Sequence, residues 1–349
     1  MKIALDAMGG DHAPQVTVEG AIETLKEHSD IEIILVGDTS RIEKELEGKK
    51  RFPKERLHLK HASEVISMDE SPSYALRRKK DSSIKRAIEL HKAGEADAVV
   101  SAGHSGVAMA LSLFILGKVP GVDRPAIAAS LPTLKKPFVL IDAGANVDCK
   151  PSNILEFAYM GVAYYRSVFS IDNPRVALLS IGEEDTKGNE LTKDAFRLLK
   201  ASGLNFKGNI EGKDLFIGDA DVIVCDGFIG NIVLKLSEGL AEVIMKMLKR
   251  EISDISTGRI AYLLMKPALR RFKKKTDYAE YGGAPLLGIN GTCIISHGRS
   301  SAKAIKNAIL VASNLAKAGL HRIISQELSS IKGTLKRDLE IPALNEVSS

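Results

Sequence analysis

The chain opens with MKIALDAMGGDH at residues 1–12, and this stretch contains the repeating unit of the fold. Ile3–Asp6 is an apolar run that predicts a short β-strand, and the polar turn after it carries Gly9 and Gly10. A helical pattern then runs from about Val16 to Lys26. This order of strand, glycine-rich turn and helix is half of a βαβ unit.

The same order returns along most of the chain. Further strands are predicted at Ile31–Val36, Ala98–Ser101, Pro137–Asp142, Arg175–Ser180 and Val222–Asp226. Further helices are predicted from Thr39, from Ser82 and Ser83 to Lys92, over Ser105–Leu116, Ile154–Arg166 and Leu191–Lys200, and from about Ile229. Strands that alternate with helices indicate an α/β fold with a mostly parallel sheet flanked by helices.

Five loops rich in glycine and polar residues each follow a predicted strand and precede a helix. They are residues 6–12 (DAMGGDH), 101–106 (SAGHSG), 142–146 (DAGAN), 182–189 (GEEDTKGN) and 226–231 (DGFIGN). Ligands of open α/β sheets bind at the carboxyl ends of the strands. One such loop merely reverses the chain, but five together lead us to expect one composite site at a single sheet edge.

Composition excludes several classes of protein. Aromatic residues make up 5% of the 349 residues and tryptophan is absent, which disfavours stacking on sugars or single-stranded nucleic acid. The three cysteines, Cys149, Cys225 and Cys293, are too sparse for a disulfide framework or a zinc site. Neither a signal-peptide layout nor an apolar run of about 20 residues is present, so we expect a cytoplasmic protein.

The loops suit an anion better than a cofactor. Gly103–Gly106 and Gly227–Asn231 both open helices, where backbone N–H groups and the helix dipole favour phosphate or an oxyanion. Neither the dinucleotide fingerprint nor the Walker A pattern occurs, and the acidic residues lack a metal-ligand spacing. We therefore predict no metal and no cofactor.

Each candidate side chain also has a structural interpretation. Asp6 and Asp142 serve equally well as acceptors for loop N–H groups. His12 and His104 lie on two of the loops, and His297 precedes Gly298 at the start of another helix, but histidines at strand ends are often structural. Cys149 has no basic neighbour in sequence that would activate it, Cys225 lies in an apolar core run, and no serine-hydrolase elbow occurs.

Together with Arg124-Pro-Ala and Tyr281-Gly-Gly-Ala, these loops closely resemble the PlsX family of bacterial phosphate acyltransferases, in order and spacing, from residue 1 to about residue 330. The resemblance implies a fold related to phosphotransacetylases and to isocitrate and isopropylmalate dehydrogenases. It implies conversion of long-chain acyl-[acyl carrier protein] and inorganic phosphate to acyl-phosphate and free carrier protein, in phospholipid synthesis. His104 and Ser105 replace the Asn-Thr expected in the family, with hydrogen-bonding capacity retained.

The resemblance also implies partners and an assembly. These are a homodimer, peripheral association with the inner face of the cell membrane, and a downstream acyl-phosphate:glycerol-3-phosphate acyltransferase. The catalytic candidates are His12, His104, Lys187 and Asn231. The candidates for phosphate or substrate binding are Asp6, Gly9, Gly10, Asp11, Gly103, Ser105, Gly106, Arg124, Asp142, Asn146, Glu184, Asp185, Asn189, Asp226, Gly227 and Gly230.

Two basic segments predict surfaces. Arg77, Arg78 and Lys79 form a charge run that is either solvated or a docking patch for the acidic carrier protein. Residues 259–275 (RIAYLLMKPALRRFKKK) combine seven basic residues with an apolar group, which is typical of a membrane-surface segment or of a dimer contact. That apolar group is Ile260, Tyr262, Leu263, Leu264 and Met265.

We expect one acyltransferase domain over residues 1–335, with a protruding amphipathic helical segment at 240–280 and a flexible tail at 336–349. Two other functions compete with acyl transfer. An NAD- and metal-dependent decarboxylating dehydrogenase would need metal ligands and an adenine pocket that the sequence lacks. A non-enzymatic scaffold at the membrane surface would leave the five loops unexplained.

Overall fold

The computed structural model describes residues 1–49, 51–254, 265–269, 271–272 and 281–338. Its strands are β1 (Lys2–Asp6), β2 (Glu32–Gly37), β3 (Leu57–His61), β4 (Ala98–Ser101), β5 (Ala126–Leu131), β6 (Phe138–Ile141), β7 (Val176–Leu179), β8 (Phe206–Ile210), β9 (Val222–Val224), β10 (Ala284–Leu287) and β11 (Cys293–Ile295). Its helices are α1 (Gln15–Glu27), α2 (Thr39–Leu46), α3 (Pro72–Arg78), α4 (Ser83–Lys92), α5 (Ser105–Leu116), α6 (Pro151–Phe169), α7 (Glu190–Ala201), α8 (Gly227–Asp254), α9 (Ala302–Ala318) and α10 (Leu320–Asp338).

The strands form one sheet in the order β3-β2-β1-β4-β11-β10-β5-β6-β9-β7-β8. Its pairings are parallel from β3 to β11 and again from β6 to β8. Between these two blocks, β10 and β5 pair antiparallel with each other and with their outer neighbours. The predicted α/β fold with a mostly parallel sheet flanked by helices is confirmed.

Three antiparallel steps in a row reverse the strand direction between the two parallel blocks. The carboxyl ends of β1, β4 and β11 therefore lie at one edge of the sheet, which we call the first edge. The carboxyl ends of β6, β7 and β9 lie at the opposite edge, which we call the second edge. The expectation that all five loops share one edge is wrong, because it assumed one strand direction throughout.

Both sheet faces are covered by helices, and successive side chains of β1 alternate between them. Ile3 and Leu5 pack into the core beneath α1, α6 and α9. Ala4 belongs to the core on the other face, beneath α4 and α5. Leu234 of α8 packs partly buried against this second core, so α8 and α5 lie on the same face of the sheet.

Helix α8 is only partly packed against the rest of the protein. One side of its 28 residues carries a row of exposed large apolar side chains. We call this row the apolar stripe: Phe228, Ile229, Ile232, Leu236, Leu240, Val243, Ile244 and Met247. Their spacing of three and four residues keeps them on one helical side. Every helix within the described residues falls short of the length and hydropathy needed to span a bilayer.

Several sequence-based boundaries need comment. Ser105–Leu116 and Ala98–Ser101 form the helix and the strand that were predicted. Helix α10 continues to Asp338, so residues 336–338 of the segment expected as a tail are helical. Of the predicted membrane residues, Ile260, Tyr262, Leu263 and Leu264 lie outside the described residues, as do parts of the 240–280 segment and residues 339–349.

Candidate active site

At the first edge, the carboxylate of Asp6 organises the loop that follows β1. It accepts the hydroxyl proton of Ser101 at 2.7 Å and the backbone N–H of Met8 at 3.2 Å, and it is 2% exposed. The pKa of Asp6 is raised overall, because the effect of burial outweighs that of the hydrogen bonds, which lower it. A β-carbon on Gly9 would lie 2.7 Å from both Asp6 Oδ2 and the backbone nitrogen of Gly103, so only glycine fits there. Asp6 thus holds the two loops together and does not face solvent.

His104 begins α5 as its N-terminal cap. Its Nδ1 accepts the backbone N–H of Val107 at 3.3 Å. In the neutral ring the remaining proton is therefore on Nε2, which makes His104 a hydrogen-bond donor at the mouth of the helix. Ser105 beside it is exposed.

The loop after β11 joins the same group. Ser296 donates its backbone N–H to the carbonyl of Ser101 at 2.8 Å, and Asp11 donates its own to the carbonyl of Gly298, also at 2.8 Å. The His12 side chain is exposed. The first edge therefore combines three loops, two predicted from sequence and a third that carries His297.

A small cleft opens among these loops. Its polar lining includes Asp6, Ser101 and His104, and its apolar lining includes Val65 and Ile66 from the segment before α3. A mixed lining of this kind suits a ligand with one polar and one apolar part.

At the second edge, the carboxylate of Asp142 is fully enclosed. Its Oδ1 accepts the backbone N–H groups of Ile127, Gly144 and Ala145 at 2.9–3.2 Å. Its Oδ2 accepts the backbone and side-chain N–H groups of Asn146. The pKa of Asp142 is raised overall, because the effect of burial outweighs that of these hydrogen-bond donors, which lower it. The geometry supports the structural interpretation of Asp142, which has no oxygen facing a ligand.

The loop after β9 packs directly onto the Asp142 loop. Gly227 donates its backbone N–H to the carbonyl of Asn146 at 2.7 Å, and Asp226 accepts the N–H of Ile229 at 2.9 Å as a cap of α8. A β-carbon on Gly230 would collide with the carbonyl oxygen of Asp142. Asn231, the next residue, contacts the position of Gly144 and is itself exposed.

The loop after β7 lies at the same edge and is open to solvent. The side-chain oxygen of Asn189 accepts the N–H of Thr192 at 2.9 Å and caps α7. Asp185 pairs with Lys200 at 3.0 Å, and the backbone carbonyl of Glu184 accepts the side-chain amide of Asn209. Lys187 is exposed, which leaves its ammonium accessible to a ligand.

Arg124 and Cys149 complete the second edge. Arg124 is exposed and donates to the carbonyl of Asp148 at 3.1 Å. Burial and the nearby carboxylate of Asp142 raise the pKa of the Cys149 thiol to about 11, so the thiol is protonated at neutral pH. Cys225 is buried, as predicted for a core residue. Within the described residues, no group of three or more histidine, cysteine or acidic side chains is arranged to hold a metal ion.

Helix α8 connects the two edges. Asn231 lies at the Gly144 turn of the second edge, whereas Glu238 lies 4.0 Å from His297 at the first edge. Asn231, Lys235 and Glu238 occur at spacings of four and three residues, so they share one side of the helix. The rise from Asn231 to Lys235 is only about 6 Å. The two groups of loops are therefore neighbours along α8, although they lie at opposite sheet edges.

The predicted basic patch lies on α3, which packs against α5. Arg77 and Arg78 are exposed, with the exposed Tyr74 on the same short helix. Lys79 is engaged, because its ammonium donates to the carbonyl of Val65 at 3.2 Å and lies 3.5 Å from Glu70. Two free guanidinium groups therefore lie next to the first-edge cleft.

Comparisons with known proteins agree with this architecture. The family described as "Fatty acid synthesis protein" matches residues 1–322. A phosphate acyltransferase of Thermodesulfovibrio yellowstonii is 58% identical over 99% of both chains, and one of Geotalea daltonii is 52% identical over 94% of both. A phosphotransacetylase structure from Streptococcus pyogenes superposes with a TM-score of 0.62 at 20% identity, covering 91% of this chain and 94% of that one, which shows a shared fold.

Proposed function

The chain belongs to the phosphate acyltransferase family, and from this membership we propose that its two sheet edges join an acyl thioester to inorganic phosphate beside α8. The enzyme transfers an acyl group to phosphate in phospholipid synthesis. Its acyl donor is the long-chain thioester of acyl carrier protein, and its products are acyl-phosphate and free carrier protein. The one-turn spacing of Asn231 and Lys235 carries the proposal, because it brings groups from both edges within reach of one substrate.

The reaction needs positioning more than activation. A phosphate oxygen attacks the thioester carbonyl carbon, the carbonyl oxygen becomes an oxyanion, and the carbon–sulfur bond then breaks. The electron pair leaves with the pantetheine sulfur, which takes up a proton. Because phosphate is already anionic near neutral pH, preorganised N–H donors supply most of the catalysis.

The two edges divide these tasks. At the first edge, the backbone N–H groups of His104–Gly106 at the start of α5 bind phosphate, and His104 also donates through Nε2. The N–H of Gly103 is not available, because it donates to the Ser101 hydroxyl oxygen at 3.1 Å. His12, which is exposed on the loop after β1, would protonate the departing sulfur. At the second edge, Asn231 and Lys187 are the exposed donors for the oxyanion. Asp6, Asp142 and Asp226 act indirectly, by holding these loops.

The carrier protein is placed by charge. Arg77 and Arg78 are exposed on α3, close to the cleft that His104 lines. An acidic carrier protein docked there would bring its thioester arm to the first edge. The ion pair of Lys79 with Glu70 makes this lysine a weaker contact.

A homodimer and a peripheral membrane position complete the proposal. The apolar stripe of α8 has the three- and four-residue spacing that packs against a second helix, which supports a dimer contact. The basic and apolar composition of residues 259–275, together with the exposed Met265, supports contact with an anionic membrane surface at the inner face of the cell membrane. The acyl-phosphate product would then pass to a downstream glycerol-3-phosphate acyltransferase.

Release of carrier thiol measured with a thiol reagent tests the proposal. Palmitoyl carrier protein should release thiol only when orthophosphate is present, with acyl-phosphate formed in equal amount. The proposal would be refuted by thiol release that does not depend on phosphate, or by the absence of thiol release with correctly folded protein. With NAD and magnesium present, the absorbance at 340 nm should stay at background. An increase would instead support the dehydrogenase alternative.

A further inference from the structure

Lys235 of α8, Glu238 of α8 and His297 after β11 form a polar group that joins two distant parts of the chain. The Lys235 ammonium lies 2.9 Å from Glu238 Oε2, and His297 Nε2 lies 4.0 Å from the same oxygen. The Glu238 side chain is 19% exposed, whereas that of Lys235 is 51% exposed. One carboxylate oxygen of the Glu238 side chain therefore lies near two nitrogen atoms that can donate hydrogen bonds.

His297 is held in one orientation. Its Nδ1 accepts the backbone N–H of Arg299 at 3.1 Å, so the neutral ring carries its proton on Nε2, the nitrogen that faces Glu238. Burial and the charges of Lys235 and Arg299 lower the pKa of His297, against the opposing effect of Glu238 and Asp11. At neutral pH the ring is therefore a neutral donor with a fixed direction.

The position of this group matters for the reaction. The His297 loop is hydrogen bonded to both first-edge loops, through Ser296 to Ser101 and through Gly298 to Asp11. Lys235 follows Asn231 by one helical turn, about 6 Å along α8. A phosphate at Lys235 would lie between the α5 amides and the oxyanion donor Asn231.

We propose that Lys235 and His297 bind the attacking phosphate, and that the Glu238 carboxylate occupies the place of a phosphate oxygen when the site is free. This inference rests on the proposed function and extends its phosphate site. When phosphate enters, the two donors exchange a carboxylate oxygen for a phosphate oxygen, and Glu238 is displaced toward solvent. Glu238 therefore competes with the substrate for the same donors.

Competition gives substitutions on the same helix opposite effects. Lys235→Ala should weaken orthophosphate binding by about tenfold or more, since it removes a charge-assisted bond. His297→Asn keeps an acceptor for the Arg299 N–H but loses Nε2, and should weaken binding by about threefold to tenfold. Glu238→Gln should strengthen binding by about threefold or more, because a neutral amide competes poorly with phosphate.

Orthophosphate binding is measured by calorimetry on the full chain without acyl substrate, alongside the phosphate dependence of thiol release. Lys246→Ala, at a side chain that is 72% exposed further along α8, is the matched control for Lys235→Ala. Glu27→Gln, in an exposed ion pair between α1 and α9, is the control for Glu238→Gln, and both control proteins should behave like the unchanged protein. Equal binding by Lys235→Ala and Lys246→Ala would overturn the inference, as would weaker binding by Glu238→Gln. Phosphate binding that responds as expected in a protein without thiol release would refute the proposed function alone.

Discussion

Asn146 donates both its backbone N–H and its side-chain N–H to a single carboxylate oxygen of Asp142, at 2.7 and 2.9 Å. The other oxygen of Asp142 accepts three further backbone N–H groups. One buried carboxylate thus fixes the loop on which α8 rests, and its contribution is to the shape of the second edge.

Asp142→Asn should destabilise the fold strongly. An amide in this position turns one acceptor into a donor that faces N–H groups, which costs about 3 kcal/mol or more of unfolding free energy. Urea unfolding measures the change, and Asp148→Asn, at an exposed position in the same loop, is the control. Unchanged stability with lost phosphate binding would instead make Asp142 a direct ligand.

His104→Asn and His104→Ala separate the capping role from the donor role. Asparagine can accept the Val107 N–H and still offer an amide donor, so its turnover should stay within about threefold of the original. Alanine removes both groups and should cost about 1 kcal/mol of stability and about tenfold or more in kcat. Full activity of the alanine variant in the thiol assay would show that His104 only caps the helix and does not take part in catalysis.

Lys187→Ala should lower kcat by about tenfold or more, as expected for the loss of an oxyanion donor. The phosphate concentration that gives half-maximal rate should change by less than about twofold, because the proposed phosphate site lies at the other edge. Lys200→Ala, which breaks the ion pair with Asp185 in the same loop, is the matched control. A greatly raised phosphate requirement in Lys187→Ala would move the phosphate site to the second edge.

Cys149→Ser should retain activity within about twofold, since a thiol with its pKa raised to about 11 is a poor nucleophile near neutral pH. Alkylation of Cys149 by iodoacetamide should also be slow at about pH 8 for the same reason. Loss of turnover in a correctly folded Cys149→Ser protein, with an acyl group trapped on the unsubstituted enzyme, would indicate a covalent mechanism.

His91 should make stability depend on pH. Its Nδ1 donates to the carbonyl of Ala96 at 2.8 Å and its Nε2 accepts the N–H of Thr292 at 3.0 Å, which fixes the neutral ring. Burial lowers the pKa of His91 from its ordinary value of 6.5. The unfolded chain therefore binds a proton first as the pH falls, so the stability contributed by neutral His91 is complete above 6.5 and is lost between 6.5 and the lower folded value.

Unfolding at about pH 7.5 and pH 5.5 measures this loss, which is limited to about 1.4 kcal/mol for each unit of pKa difference. His91→Gln should flatten the difference between the two conditions. His61→Gln, at an exposed position, should leave it unchanged. An equal pH dependence in the His91→Gln protein would assign the effect to other groups.

In the parallel parts of the sheet, the sequence predicted β1, β2, β4, β6, β7 and β9, because each is a clear apolar run followed by a turn and a helix. It did not predict β3, β8 and β11 in those parts. It missed β5 and β10, the strands that reverse the sheet. Ala126–Leu131 reads AIAASL and Ala284–Leu287 reads APLL, and alanine and proline are poor strand formers. Their pairing with each other joins residues far apart in the chain, such as Leu286 and Ile127, which no local pattern reveals.

The candidate site shows the same limit. Glycine and polar loops were located from their sequence, but the enclosure of Asp6 and Asp142 depends on neighbouring loops that fold over them. Lys235 and Glu238 have the spacing of an ordinary surface ion pair on a helix. The approach of His297, which comes from a different part of the chain, is the feature that this spacing does not reveal.

Gly230 has a consequence for everything that α8 presents. Because a methyl group there would strike the carbonyl of Asp142, α8 packs this closely on the loop only with glycine at position 230. The orientation of the 28-residue helix about its axis therefore depends on its first turn. An alanine at this position would shift the side that carries Asn231, Lys235 and Glu238 and, with it, the apolar stripe.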